Sequence, residues 1–245
     1  MMNVVSSEFY KIFKSRIIYV ISIIFLAMNA ISFAASASLK VKGKMSGTGF
    51  SNYQGSYGAD FIFYIVLIFV ACLITSEYSN GSIRQMACHG IARWKLVLGQ
   101  YIAMSSVITI VLLGFGILNL LSCTILSELG KVDAAVFIRM NIGMICMFWA
   151  TAGIGTFLSY LLRNEGITII ISVLLVPGSN FIANLLALLT KNDVFIRYSL
   201  TNMRKTIIDF TSKPEEVVKY SIAFLLIGVI TILGSSLLFS KRDVD

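Results

Sequence analysis

Residues 96–126, LVLGQYIAMSSVITIVLLGFGILNLLSCTIL, run for 31 positions without an Asp, Glu, Lys, Arg or His. A helix needs roughly 20 apolar residues to cross a hydrocarbon core about 30 Å thick. This run is long enough to cross and to begin as an interfacial segment. Five more apolar runs flank it, Ile17–Leu39 and Asp60–Thr75 before, Asn141–Leu162, Gly166–Leu189 and Tyr220–Phe239 after. The pattern predicts an all-α membrane protein. Its six transmembrane helices are expected at about 17–39, 60–75, 96–126, 141–162, 166–189 and 220–239, in a single transmembrane domain over 1–245.

The composition agrees. Of 245 residues, 57% are hydrophobic and 13% charged, with a mean hydropathy of +0.86. Soluble proteins carry roughly 25% charged residues. The formal net charge of +8 comes from Lys and Arg placed between apolar runs, where they anchor helix ends at headgroups. The partner implied is the lipid bilayer, not nucleic acid. Cys72, Cys123 and Cys146 lie in or beside apolar segments and Cys88 in a connector. There is no CxxC pair, and His89 stands alone, so no metal site is expected.

The segments between the spans differ in character. Met1–Arg16 is amphipathic, with Val4, Val5, Phe9, Ile12 and Phe13 on one face and Lys11, Lys14 and Arg16 on another. It is expected as an interfacial helix retained before the first span. A polar Gly/Ser stretch, Lys40–Gly58, carries Lys40, Lys42 and Lys44. A short loop with Glu128, Lys131, Asp133 and Arg139 precedes the fourth span, and Arg163–Glu165 makes a tight turn into the fifth. Pro177-Gly178 falls mid-span, where it should kink or break the helix and offers a possible hinge. Thr190–Lys219 mixes apolar residues with charges and reads as short helices on the membrane surface. Six spans put both termini on one side, but the 20 Lys and Arg divide too evenly to choose which.

Several chemistries are excluded. The spans hold almost no ionisable residues, which disfavours ion-coupled transport. HExxH, GxSG and paired intramembrane aspartates are missing, so the chain is not read as an enzyme. Without a Walker A pattern it has no phosphate loop of its own and needs no cofactor. Asn29, Asn119, Asn141, Thr151 and Ser159 are expected as interhelical hydrogen-bonding residues. Gly143, Gly153 and Gly155 with Ala150 and Ala152, and Gly114 with Gly116, are expected at close-packed faces.

The connector between the second and third spans is the informative segment: Glu77-Tyr78-Ser79-Asn80-Gly81-Ser82-Ile83-Arg84-Gln85, then Ala92-Arg93-Trp94-Lys95. Gly81 permits a turn, Ser82 is a good N-cap for a helix through Cys88, and Arg93 and Trp94 mark re-entry at the interface. These residues read either as a loop with snorkelling anchors or as a short helix that protrudes and docks on a partner.

In Glu77, Gly81-Ser82, Arg84 and Ala92-Arg93, the chain resembles the permease subunits of type-2 ABC exporters. The six-span branch tied to bacitracin and lantibiotic resistance or immunity is the most similar. The ending Phe239-Ser240-Lys241-Arg242-Asp243 resembles that family's ending as well. Gln100 departs from it, standing where many relatives have Lys, and Lys40, Lys42 and Lys44 fall on a segment the family places outside. The resemblance implies a cytoplasmic coupling helix over Glu77–Trp94, with Glu77, Tyr78, Gly81, Ser82, Arg84, Arg93 and Trp94 seated on a separate ABC ATPase that carries ATP and Mg. Glu77 would sit at the hinge, as an N-terminal helix charge or a partner for basic groups. Also implied are a second permease subunit, identical or similar, and a bacterial plasma-membrane location with cytoplasmic termini. The expected activity is export of an amphipathic or apolar substrate, an antimicrobial or lantibiotic-type peptide above others. The rival is a non-transporting immunity protein that sequesters a peptide.

Overall fold

The computed structural model describes residues 2–42, 47–83, 92–192 and 194–241. Among these the chain is helical, without strands. The helices are α1 Met2–Lys14, α2 Arg16–Val41, α3 Gly49–Gly58, α4 Phe61–Ser79, α5 Arg93–Leu126, α6 Ala134–Leu162, α7 Glu165–Leu175, α8 Ser179–Thr190, α9 Val194–Arg197, α10 Leu200–Ile208 and α11 Pro214–Lys241. Five of them (α2, α4, α5, α6 and α11) are long and apolar enough to cross a membrane, and the pair α7 and α8, bent by 55°, makes a sixth.

These helices outrun the apolar segments. The fourth begins at Ala134, ahead of the expected Asn141, because Asp133 caps it by accepting from the Ala135 N–H and because a charged residue such as Arg139 fits a helix beyond the hydrocarbon. The fifth is two helices. Pro177 has no N–H to give the Val173 carbonyl, and the Gly178 N–H takes that carbonyl instead at 3.1 Å, a wider turn that breaks the ladder. A Cβ at Gly178 would stand 2.5 Å from the Leu174 carbonyl oxygen.

α6 is the hub. Two-thirds of its most apolar window is buried, against 22% in α2 and in α11, which therefore form the periphery. Small residues bring α11 onto it: a Cβ on Gly153 would lie 2.6 Å from Thr231 Oγ1 and 3.4 Å from the Gly228 Cα. Gly143 likewise meets Ile207 and Ser221, and Gly155 meets Val70. On α5, Gly116 behaves this way beneath the rings of Tyr53 and Tyr57. A Cβ on Gly114 would meet nothing within 4 Å, so that glycine opens space and does not close it.

The Gly/Ser stretch holds a helix that composition hid. Thr48 and Ser51 form a reciprocal capping box, and the Gly49 and Phe50 N–H groups bond the Glu128 and Leu129 carbonyls at 2.9 and 3.1 Å. α3 thereby tucks Tyr53 and Tyr57, 2% and 1% exposed, against α5 and α6. Tyr53 Oη donates to Asn141 Oδ1 at 2.5 Å and Tyr57 Oη to the Leu112 carbonyl at 2.7 Å. Thr190–Lys219 contains the short helices α9 and α10.

The expected polar contacts hold for two residues and not for two others. Asn29 and Asn141 bond across helices, whereas Thr151 and Ser159 return their hydroxyls to the Met147 and Gly155 carbonyls of their own helix. Asn119 is buried on α5. A short β-hydroxyl reaches the carbonyl four residues back more readily than a neighbouring helix.

Candidate functional site

The last turn of α4 is where the elements at one end of the bundle converge. Glu77 lies there, at the C-terminal end of its helix and not at an N-terminus, so the macrodipole does not favour its charge. Its partners do. Lys11 Nζ from α1 is 3.1 Å from Glu77 Oε1 and 2.6 Å from Glu8 Oε1. Gln100 Nε2 from α5 donates to Glu77 Oε2, and Gln100 Oε1 accepts the hydroxyl of Tyr160 from α6. One chain of hydrogen bonds therefore joins α1, α4, α5 and α6 through Glu8, Lys11, Glu77, Gln100 and Tyr160.

Burial makes the chain consequential. The side chains of Glu8, Glu77 and Lys11 are 5%, 15% and 35% exposed. Burial pushes the Glu8 carboxyl above the ordinary carboxylate range, against the pull of Lys11. Burial acts to lower the Lys11 ammonium, but its bonds to the two carboxylates win and raise it.

Of the apolar face expected on α1, Val4 and Val5 are half-buried and Phe9 packs against the core, while Phe13 turns outward. Glu8 and Ile12 are its buried residues, while Phe13 is 54% exposed. Lys11 compensates the buried Glu8 at 2.6 Å. α1 lies close on α5 at Gly99, where a Cβ would stand 2.8 Å from Val4 Cγ1.

Tyr78 packs edge-on against Tyr160, their ring centroids 5.8 Å apart, with the Arg163 guanidinium 5.3 Å over its face. Arg163 is the left-handed C-cap of α6, at φ 53°. Gly81 turns the chain at φ 69°, in the left-handed region that favours glycine. The Ser82 hydroxyl then donates to the Glu77 carbonyl at 3.3 Å, so that serine braces the end of α4.

Residues 84–91 lie outside the described residues, and with them Arg84 and the helix expected through Cys88. The described portion narrows the connector: Glu77 and Tyr78 belong to α4, and Arg93 and Trp94 are the first residues of α5. Arg93 Nη1 donates to the Phe239 and Ser240 carbonyls at 3.1 and 3.3 Å, pinning the start of α5 to the end of α11. Trp94 is 45% exposed beside Lys95 and takes no part in the junction.

Pro177 and Gly178 sit apart from the junction. Thr201 of α10 donates its hydroxyl to the Pro177 carbonyl at 3.2 Å, and its N–H donates to Ser179 Oγ at 3.1 Å. At this opposite end Arg204 of α10, buried, reaches Asp60 Oδ1 at 2.5 Å and lies 4.5 Å over the Phe63 ring. α10 thus ties the helix break to the start of α4.

Sequence reasoning missed Glu8, Lys11, Tyr160 and Arg204 as members of a site, and noted Gln100 only as a departure from the family's Lys. Glu8 and Lys11 do carry a signal, an i, i+3 ion pair within an amphipathic stretch. Gln100 carries another, a polar group able to donate and accept inside an apolar run. No local pattern marks Tyr160 or Arg204.

Residues 4–179 match the family described as ABC-2 family transporter protein. No curated protein matches the chain.

Proposed function

The chain belongs to the ABC-2 family of transporter proteins, and from that premise we propose that it is the permease subunit of an ATP-driven exporter in the bacterial plasma membrane. Its nucleotide chemistry belongs to a separate cytoplasmic ATPase that binds ATP and Mg. The connector between α4 and α5 is the docking element, with Gly81, Ser82 and Arg84 at its start and both termini on the same, cytoplasmic, side. A second permease subunit, identical or similar, completes the path.

The observation that carries this reading is the junction at Glu77. A push on the connector reaches Glu77, and from there α1 through Lys11, α5 through Gln100 and α6 through Tyr160. Such a linkage converts ATPase closure into a change of bundle packing, provided the ATPase binds one packing better than the other. The break at Pro177-Gly178 is a second place where the packing can change, between two short rigid helices.

The cargo is amphipathic or apolar, an antimicrobial or lantibiotic-type peptide above others. In support, residues 17–39, 61–76, 96–126, 140–162 and 220–240 contain no Asp, Glu, Lys, Arg or His, so these stretches of the spans offer no charge to attract an ion.

Gentle solubilisation of the tagged chain from its host should recover a Walker-containing ATPase in near-stoichiometric amount. Glu77→Ala should insert and retain that partner but lose ATP-dependent transport in proteoliposomes. If a folded, monodisperse chain recovers no ATPase, or if Glu77→Ala exports normally, the coupling reading fails. The chain would then be better read as an immunity protein that sequesters its peptide.

A further inference from the structure

Midway along α2, Asn29 is 7% exposed and donates Nδ2 to the Phe115 carbonyl of α5 at 3.3 Å. Among the described residues its Oδ1 has no hydrogen-bond partner. A buried amide oxygen left empty is costly anywhere, and about 20 Å along α2 from Arg16 no bulk water is at hand to fill it.

Asn29 lines a groove between α2 and α5 with a volume of about 220 Å³. For scale, an engineered apolar cavity of about 150 Å³ accepts benzene. The floor is formed by Phe25 and Phe115, 4% and 5% exposed, their centroids 4.9 Å apart. The rim is Leu26, Ile110 and Leu118, which are 56%, 66% and 44% exposed and face outward from the bundle. Gly114 keeps the groove open, since a Cβ there would meet nothing within 4 Å. Through Phe25 and Val111 the groove continues into a narrow crevice between α2, α4 and α5 that is lined only by apolar side chains. Among the described residues, no charged one lines either space.

We propose that this groove is a bilayer-facing binding site for an uncharged, chain-like apolar molecule carrying one hydroxyl, with the chain lying over Phe25 and Phe115 and the hydroxyl donating to Asn29 Oδ1, which is closed to solvent in the empty groove and is reached when the surrounding side chains shift. An acyl tail fills the apolar walls but has no donor for Asn29. A cation or carboxylate finds no counter-charge. A hydroxyl on a hydrocarbon chain satisfies both the walls and the orphaned acceptor. The site belongs to this chain alone and does not depend on an ATPase, so the proposal and the permease reading stand or fall separately.

The test uses the purified full-length chain in nanodiscs and two photoactivatable probes, a diazirine-bearing long-chain alcohol and its methyl ether. The alcohol should label peptides containing Leu26, Ile110 and Leu118, about three- to tenfold more efficiently than the ether, the range expected for one neutral hydrogen bond. Asn29→Leu should remove that advantage. Gly114→Leu, placed where the structure has room, should leave the protein monodisperse and abolish labelling by both probes. Equal labelling by alcohol and ether overturns the proposal and leaves an ordinary lipid crevice. Labelling indifferent to Gly114→Leu overturns it too. So do probe-independent crosslinks from Leu26 or Leu118 to a second copy of the chain, which would make the groove a subunit interface.

Discussion

Lys11→Met removes the cation that bonds both Glu8 and Glu77 in the junction. Lys11 stands 2.6 Å from the first carboxylate and 3.1 Å from the second. Removing one member of a buried ion pair costs about 3–5 kcal/mol, whereas an exposed pair is worth about 0–1 kcal/mol. Lys11 is 35% exposed and its partners 5% and 15%, so solvent screening brings the expected loss to about 1–2 kcal/mol. That loss should fall on the docking of α1, increasing its open population about five- to thirtyfold. Hydrogen exchange of residues 2–14 in nanodiscs reads the opening directly.

The pH dependence has a definite sign. Glu8 is held above its unfolded value of about 4.5 when α1 is docked. A raised group of this kind contributes stability that is fully present below the unfolded value and lost as the pH rises through the docked one. Without Lys11 the docked value rises further, so the defect of Lys11→Met should be small near pH 4.5 and grow toward neutrality. Adding Glu8→Gln, which removes one of the two carboxylates that Lys11 had compensated and returns the net charge of the cluster to its original value, should restore most of the protection. Protection in Lys11→Met equal to wild type at pH 7, or no recovery in the double variant, would refute the reasoning.

Gly116→Leu should destabilise the protein by about 1–3 kcal/mol through overpacking against Tyr53 and Tyr57, seen as a lower thermal midpoint in detergent. Gly114→Leu should leave that midpoint near wild type. At the opposite end the Arg204–Asp60 pair is asymmetric, with side chains 5% and 50% exposed. Asp60→Asn strands a buried guanidinium and should cost about 2–3 kcal/mol, whereas Arg204→Met leaves a carboxylate that water can reach and should cost less. Thermal unfolding of the two variants side by side checks the order.

The sequence by itself determined the membrane-crossing helices, the break at Pro177-Gly178 and the site of the connector, because each rests on information local in the chain. An uninterrupted apolar run, an imino acid without an N–H and a glycine at a turn act on their own few neighbours. Glu77 stood out for the same reason, as a charge at the end of an apolar segment. What it bonds was beyond the sequence, because Lys11 and Gln100 lie on other helices and meet it only through the packing of α1 and α5. On α1 the apolar pattern marked Val4, Phe9 and Ile12, but the exposure of Phe13 and the burial of Glu8 beside Lys11 came only with the packing. α3 escaped composition altogether: ten residues rich in Gly, Ser and Tyr have little helical propensity. They are helical because a capping box starts them and the α5 surface at Gly116 receives their tyrosines. Gly114 and Gly116, two residues apart, look alike in sequence. A helix turns 200° between them, and tertiary packing makes one a contact and the other the opening of a groove.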